Sequence, residues 1–261
     1  MIGATLPLFT KNWITFSVLH SPNTGTLANF GLGMVALFAG VHAFQFLWGL
    51  PLQSLLQALG VYAAISILVL IQLRHHVPRK EFGVANRITL TRAVIVALFA
   101  GVVGHSSMIT DSGLWFLVSL AAMAFVLDGL DGWVARRLNI QSTFGAGFDM
   151  EVDAAFILIL AILVWEYDKV GAWVLLAGIM RYLFIIARWP VHALRRSLPP
   201  SRRRQVACAT QSMALLFALC PIVEPFTASS VNGVALSFLI ISFGRDIFFL
   251  LTTTSPTGDY L

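Results

Sequence analysis

The sequence predicts an all-α protein, a polytopic bundle of transmembrane helices. Of its 261 residues, 58% are hydrophobic and only 11% are charged, whereas soluble domains carry about 25% charged residues. Apolar runs recur along the whole chain, and about 20 such residues suffice to cross the roughly 30 Å hydrocarbon core of a bilayer. These observations exclude a soluble domain with a single anchor, and the length suits one helix bundle.

Eight apolar runs are predicted to be transmembrane helices. In chain order they cover about residues 27–49, 53–73, 86–104, 113–136, 146–166, 170–188, 205–222 and 231–252. A weakly apolar stretch near residues 6–19 is compatible with a short interfacial or re-entrant helix, and it lacks the basic residues that precede a secretory signal.

Basic residues are concentrated in alternate predicted loops. RHHVPRK precedes the third span, Arg136 and Arg137 follow the fourth, and RWPVHALRRSLPPSRRRQ links the sixth span to the seventh. The loops between them carry almost no basic residue. Because cytoplasmic loops are enriched in lysine and arginine, we expect these three loops and both termini to lie in the cytoplasm.

Five of the twelve acidic residues lie in one segment, DGLDGWVARRLNIQSTFGAGFDMEVD. Asp128 and Asp131 are three residues apart at the end of one span, and Asp149 and Asp153 are four apart at the start of the next. Such pairs share a helix face, so two helix ends can present four carboxylates to one another. Glu151 is about 200° from Asp149 around an ideal helix and should face away. Carboxylates at this depth are costly and mark a functional site by default.

Four neighbouring carboxylates oppose one another's ionisation, and one or two divalent cations would remove that cost. Mg²⁺ and Mn²⁺ are hard ions that take oxygen ligands, and a two-metal site suits phosphoryl chemistry. Gly132, Ala135 and Gly145 leave room for a ligand beside the helix backbone, and Arg136 can pair with a phosphate. The segment therefore predicts one or two Mg²⁺ or Mn²⁺ ions held by Asp128, Asp131, Asp149 and Asp153.

The pattern D-x-x-D-G-x-x-A-R, eight residues, then G-x-x-x-D-x-x-x-D resembles the motif of the CDP-alcohol phosphotransferase (CDP-alcohol phosphatidyltransferase) family at all eight fixed positions. The segment NRITLTR, with Asn86, Thr89 and Arg92, is similar to the start of that family's first core span. The resemblance covers about residues 82–252. It implies a six-helix catalytic core, residues 82–261, preceded by an N-terminal extension, residues 1–81, with two additional spans and a basic linker.

The resemblance implies a phospholipid-synthesis enzyme that transfers a substituted phosphate from a CDP-linked donor, usually CDP-diacylglycerol, to the hydroxyl of a small polar alcohol and releases CMP. Asp128, Asp131 and Asp149 would hold two divalent ions, while Asp153 would contribute to the second and act as the general base. The donor-binding residues would be Asn86, Thr89, Gly132, Ala135, Arg136 and Gly145. The protein would lie in a bacterial inner membrane as a homodimer, with its active site facing the cytoplasm and no nucleic-acid partner.

The acceptor alcohol stays open. A phosphorylated acceptor, such as glycerol 3-phosphate or inositol phosphate, would find four candidate arginines, Arg181, Arg202, Arg203 and Arg204. Alternatively, Arg181 could pair with an aspartate, and the basic loop could attract anionic lipid; serine or another unphosphorylated alcohol would not need these arginines. The glycerophosphate-using relatives usually have lysine directly after the last aspartate, where this chain has Ala154.

Two other protein classes use clustered carboxylates. Intramembrane prenyltransferases bind a diphosphate through aspartate-rich motifs and Mg²⁺, and the spacing of Asp149 and Asp153 fits one such motif, but a second motif requires an acid where this chain has Ala135. Divalent-cation transporters place such groups near the bilayer midplane and often have repeated halves. Here the acids cluster at one predicted edge, which favours the transferase.

Two further features are interpreted as structural. Arg245 and Asp246 are adjacent in the last span, which predicts ion pairing with a neighbouring helix. Cys208 and Cys220 lie in one apolar run, and their spacing suits neither a zinc site nor a disulfide framework, so we interpret them as packing residues.

Overall fold

The computed structural model describes residues 24–74, 84–137, 143–187, 189–191 and 201–252. Within these ranges the regular elements are α-helices and two 3₁₀ turns, Ser106–Met108 and Ala172–Leu175. The predicted all-α bundle is therefore confirmed. Its helices are α1 (Thr24–Trp48), α2 (Leu52–Arg74), α3 (Val84–Val102), α4 (Asp111–Arg137), α5 (Thr143–Glu166), α6 (Leu176–Ala187), α7 (Arg202–Leu219) and α8 (Pro225–Thr252).

Each of the eight predicted spans corresponds to one of these helices. The largest differences between prediction and structure are at the starts of the sixth and eighth spans. The run predicted at 170–188 begins with a 3₁₀ turn before α6, and α8 begins at Pro225, several residues before the predicted start. Proline favours the first position of a helix because its missing N–H is not needed there. The helix predicted near residues 6–19 lies outside the described residues.

Four of the described helices are long and apolar enough to cross a membrane by length and composition. They cover Gly25–Trp48, Leu52–Leu70, Asp111–Leu130 and Pro225–Thr252. This supports a multi-pass membrane protein. Crossing by the other four helices, and the orientation of the bundle, stay predictions.

Glycines in the left-handed region end two of the helices. Gly49 follows α1 with φ of 67°, and Gly104 follows α3 with φ of 78°. A glycine reaches this region without the steric cost that a Cβ imposes. After Gly49, the Ser54 hydroxyl donates to the Pro51 carbonyl over 2.8 Å at the start of α2. The chain thereby reverses within three residues, and α1 and α2 form a hairpin.

The hairpin of α1 and α2 packs against α3. Within it, the buried Tyr62 hydroxyl donates to the Phe30 carbonyl over 2.8 Å. A Cβ on Gly101 of α3 would lie only 2.9 Å from the Ser54 carbonyl oxygen, so the absence of a side chain there lets α2 and α3 approach closely. Close packing matters more here than apolar burial, because lipid tails are as apolar as the side chains they would replace.

Helix α5 lies at the centre of the bundle. It packs against α2, α3, α6 and α7, and Leu160, Leu163 and Val164 are fully buried. On the far side, α7 and α8 pack along each other. The buried Gln211 amide of α7 donates to the Asn232 side-chain oxygen of α8 over 3.3 Å. The helices that flank α5 therefore fix it on several sides, and this matters because α5 carries two of the predicted metal ligands.

Candidate metal and active site

Three of the predicted carboxylates come together beside α3, which packs against both α4 and α5. Asp128 lies in the second half of α4, and Asp149 and Asp153 are one turn apart in the first half of α5. One carboxylate oxygen from each residue lies within 4.8 Å of the others. Their side chains are 31%, 35% and 34% exposed, respectively. The cluster is therefore accessible from one side and held by protein on the other.

Arg92 of α3 contacts all three carboxylates. Its Nη1 lies 2.8 Å from Asp128 Oδ1 and 2.5 Å from Asp149 Oδ1, and its Nη2 donates to Asp153 Oδ1. The Arg92 side chain is only 2% exposed. A buried charge needs partners, and the three carboxylates supply them.

The sequence indicated Arg92 as part of the segment NRITLTR, but its contact with the three carboxylates was not predicted. Asn86, Thr89 and Arg92 are spaced by three residues, so they follow one side of a helix that is otherwise apolar beyond its first turns. Thr89 is 3% exposed and Asn86 is half-buried. An arginine this far into an apolar helix requires an acidic partner, and the chain offers few acids. This need for an acidic partner is the feature of the sequence from which the contact of Arg92 with the carboxylates could have been predicted.

The donor set fits a divalent cation. Among the described side chains, the three carboxylates and the Arg92 guanidinium have a formal net charge of −2, which a single divalent ion would neutralise. Mg²⁺ and Mn²⁺ prefer oxygen ligands, and such sites commonly combine a few carboxylates with water or substrate oxygens. The partial exposure of Asp128, Asp149 and Asp153 leaves room for those additional ligands. The three aspartates can therefore hold a metal ion, whose identity the geometry does not distinguish.

The remaining residues of the motif lie on the same helix ends. Gly132 is four residues after Asp128, and Gly145 is four residues before Asp149, so each shares a face with an acid of the cluster. Both glycines are half-buried. Three predicted site residues belong to α4, but their side chains lie outside the described part of the chain: Asp131, Ala135 and Arg136.

A second ion pair ties α5 to α6. Arg181 Nη2 donates to Glu151 Oε1 over 2.5 Å, and the Glu151 side chain is 13% exposed. Pairing with an aspartate was one of the two alternatives for Arg181, and the partner found is a glutamate instead. Glu151 contacts α6 while Asp149 and Asp153 contact α3, so Glu151 faces away from the cluster, as its helical position predicts.

A third group of charges ties α7 to α8. Arg203 Nη2 donates to Asp246 Oδ1, and Arg204 Nη1 lies 3.5 Å from Asp246 Oδ2. The Asp246 side chain is 11% exposed. The predicted pairing of Asp246 with a neighbouring helix is confirmed. Arg202, the remaining candidate for the acceptor phosphate, is exposed at the start of α7.

Comparison with known proteins identifies the family. The family model for CDP-alcohol phosphatidyltransferase matches residues 82–244, more than half of the chain. Over 62 residues the chain is 34% identical to a CDP-diacylglycerol–glycerol-3-phosphate 3-phosphatidyltransferase of Cereibacter sphaeroides; this match covers 24% of the chain and 28% of that relative. No solved structure matches. The matched residues include the whole carboxylate cluster, and the chain belongs to the CDP-alcohol phosphatidyltransferase family, transferases of substituted phosphate groups.

Proposed function

We propose that the protein transfers a phosphatidyl group from CDP-diacylglycerol to the hydroxyl of a small polar alcohol, with release of CMP. The observation that carries this proposal is the cluster of Asp128, Asp149 and Asp153 in a chain of this family. The name of the Cereibacter sphaeroides relative supports the choice of donor. The apolar helices would let the acyl chains of the donor stay in the bilayer while its headgroup reaches the carboxylates.

The proposed roles follow from charge and position. Asp128, Asp131 and Asp149 hold the divalent ions, two in number by resemblance, with Asp153 as a further ligand. Divalent ions at this position would neutralise the donor diphosphate and stabilise the departing CMP. Asp153 takes the proton of the attacking hydroxyl, for which it must lie within hydrogen-bond reach of that group. The residues proposed to bind the donor are Asn86, Thr89, Gly132, Ala135, Arg136 and Gly145.

The arginines of α6 and α7 support the proposal that the acceptor alcohol carries a phosphate. Arg181 pairs with Glu151, which lies between Asp149 and Asp153 on α5. Helix α7, which begins with the other three arginines, packs against α5. Ala154, where relatives that use glycerophosphate usually have lysine, is 6% exposed. A phosphate would therefore depend on the arginines Arg181, Arg202, Arg203 and Arg204.

The wider setting of the enzyme is also a proposal. Residues 1–81 form an extension outside a catalytic core of residues 82–261. The basic loops support an active site on the cytoplasmic side of a bacterial inner membrane, because cytoplasmic loops are enriched in lysine and arginine. By resemblance to its family, the protein works as a homodimer.

The reaction is tested by CMP release from purified protein with CDP-diacylglycerol and Mg²⁺ or Mn²⁺. Asp149→Asn and Asp153→Asn should each lower the rate by at least about 100-fold, the lower end of what a positioned acid or base contributes. Asp168→Asn is the matched control, because Asp168 is exposed beyond the opposite end of α5 and has a positive φ that asparagine tolerates. Wild-type turnover in both site variants would refute the assignment.

The acceptor is identified by the same assay with a panel of alcohols: glycerol 3-phosphate, inositol phosphate, serine, inositol and glycerol. A rate that requires a phosphorylated alcohol supports the arginine site. Arg204→Gln should then raise the KM for that alcohol while leaving the KM for the donor unchanged. Turnover with serine alone would refute the phosphorylated acceptor and leave the donor chemistry in place.

A further inference from the structure

We propose that Arg92 is a positioning residue that serves as the built-in counter-ion of the carboxylate cluster and competes with the divalent ion for its oxygens. The inference rests on the proposed function only in assigning a divalent ion to these carboxylates. Arg92 is outside the motif of acids, glycines and Arg136 between residues 128 and 153. It comes from another helix, α3.

The contacts of Arg92 would allow it to hold the three carboxylates together. One guanidinium joins three acids on two other helices: Nη1 contacts Asp128 and Asp149, and Nη2 contacts Asp153. The planar fork of arginine directs donors from separate nitrogens in fixed directions, whereas a lysine carries all its donors on one nitrogen. Without this cation, three carboxylates with oxygens within 4.8 Å would repel one another, and Asp128 of α4 would move away from the two aspartates of α5. Arg92 therefore holds the ligands near the geometry that a metal requires.

The same contacts would make Arg92 compete with a metal ion for the carboxylate oxygens. Oδ1 of each acid faces Arg92, so a metal ion that binds these oxygens would compete with the guanidinium N–H groups for their lone pairs. A cation among these oxygens would lie within a few ångströms of a second positive charge. Arg92 is 2% exposed, and the α1–α2 hairpin packs on the other side of its helix. The guanidinium thus has little room to withdraw into solvent, and its charge should weaken metal binding.

This balance would keep the metal site exchangeable. Like charges held close in a protein interior interact far more strongly than they do in water. An acidic cluster without an internal cation would bind a divalent ion tightly. With Arg92, the net charge of the cluster is reduced from three negative charges to two. The ions then bind firmly only when donor phosphate oxygens add their negative charge.

The test is a Mn²⁺ titration of full-length protein in detergent without substrate, in which free Mn²⁺ is measured by electron paramagnetic resonance. Arg92→Gln should lower the Kd for Mn²⁺ by at least tenfold. Arg87→Gln is the matched control, because Arg87 is an exposed arginine near the start of the same helix, and its Kd should equal that of the wild type. Thermal unfolding without divalent ions should show a lower Tm for Arg92→Gln, and Mn²⁺ should raise that Tm more than it raises the Tm of the wild type.

A Kd that is unchanged or higher in Arg92→Gln would overturn the proposal and leave Arg92 a purely structural residue. If Arg92→Gln does not fold, Arg92→Lys gives the answer. A lysine keeps the charge but cannot contact all three acids as arginine does, so Mn²⁺ should bind several-fold more tightly than in the wild type, and weaker binding would refute the competition. Absence of Mn²⁺ binding in every variant would also refute it. Since no step requires turnover, a failure of CMP release with this Mn²⁺ pattern intact would count against the proposed function alone.

Discussion

Replacing Gly178 by alanine should force α6 away from α5. Gly178 is buried in α6, and a Cβ at this position would lie 2.4 Å from Leu158 Cα, 2.6 Å from Leu158 Cβ and 2.8 Å from Leu158 Cδ1. The nearest of these atoms belongs to the backbone of α5, which cannot rotate away. Since non-bonded carbons pack at about 3.5–4.0 Å, the two helices must separate by at least about 1 Å.

The cost of this separation has two parts. Overpacking in a close-packed interior costs about 1–3 kcal/mol, and the upper end applies here because the clash involves the backbone. Alanine also favours a helix over glycine by up to about 1 kcal/mol, which offsets part of the loss. Gly60→Ala measures the gain in helix propensity alone, because Gly60 lies in α2 and a Cβ there would meet nothing within 4 Å.

The assay is thermal unfolding of both variants in the same detergent, followed by CMP release. At about 2–4 °C per kcal/mol for a chain of this size, overpacking at the upper end of the range, about 3 kcal/mol, places the Tm of Gly178→Ala about 6–12 °C below that of Gly60→Ala. The rate should fall too, because Asp153 lies five residues before Leu158 on the displaced helix, and a 1 Å misplacement can cost about 100-fold. A Tm for Gly178→Ala equal to that of Gly60→Ala would refute the close contact of α5 and α6.

Two ion contacts away from the carboxylate cluster give further predictions. Asp246→Asn should lower the free energy of unfolding by about 1–3 kcal/mol, less than for a fully buried pair, because Arg203 is 29% exposed. Thermal unfolding of the double variant Asp246→Asn with Arg203→Gln should recover part of the loss, and no recovery would contradict direct pairing. Lys169→Met should cost about 1–2 kcal/mol, because the ammonium donates to the Pro221 and Val223 carbonyls over 3.1 Å and 2.5 Å. Its Mn²⁺ affinity should stay that of the wild type, and a changed affinity would contradict a local role.

The helices and the carboxylate cluster could be predicted from the sequence because both depend on local spacing. An apolar run predicts a helix wherever the residues lie in the fold. Acids three or four residues apart share a face whatever surrounds them. Only five residues separate α4 from α5 in the sequence, so Asp128 is near Asp149 and Asp153 along the chain, and their meeting required little tertiary information.

The ion partners could not be predicted in the same way, because they join residues far apart in the chain. Arg181 pairs with a residue thirty positions earlier, and Arg203 with one forty-three positions later. In the sequence, each arginine shows only that a buried or half-buried charge needs a partner. Which acid supplies it depends on how α5, α6, α7 and α8 pack. For this reason the sequence left two alternatives open for Arg181, and neither of them named Glu151 as its partner.

Arg92 shows why the motif between residues 128 and 153 does not describe the site completely. The motif supplies negative charge and space, but the compensating positive charge comes from α3, whose position depends on the α1–α2 hairpin packed against it. The hairpin lies outside the matched family region of residues 82–244. It nevertheless bears on the carboxylates, because any displacement of α3 moves the Arg92 guanidinium relative to Asp128, Asp149 and Asp153. A change at the interface between the hairpin and α3 should therefore alter metal affinity even when every motif residue is intact.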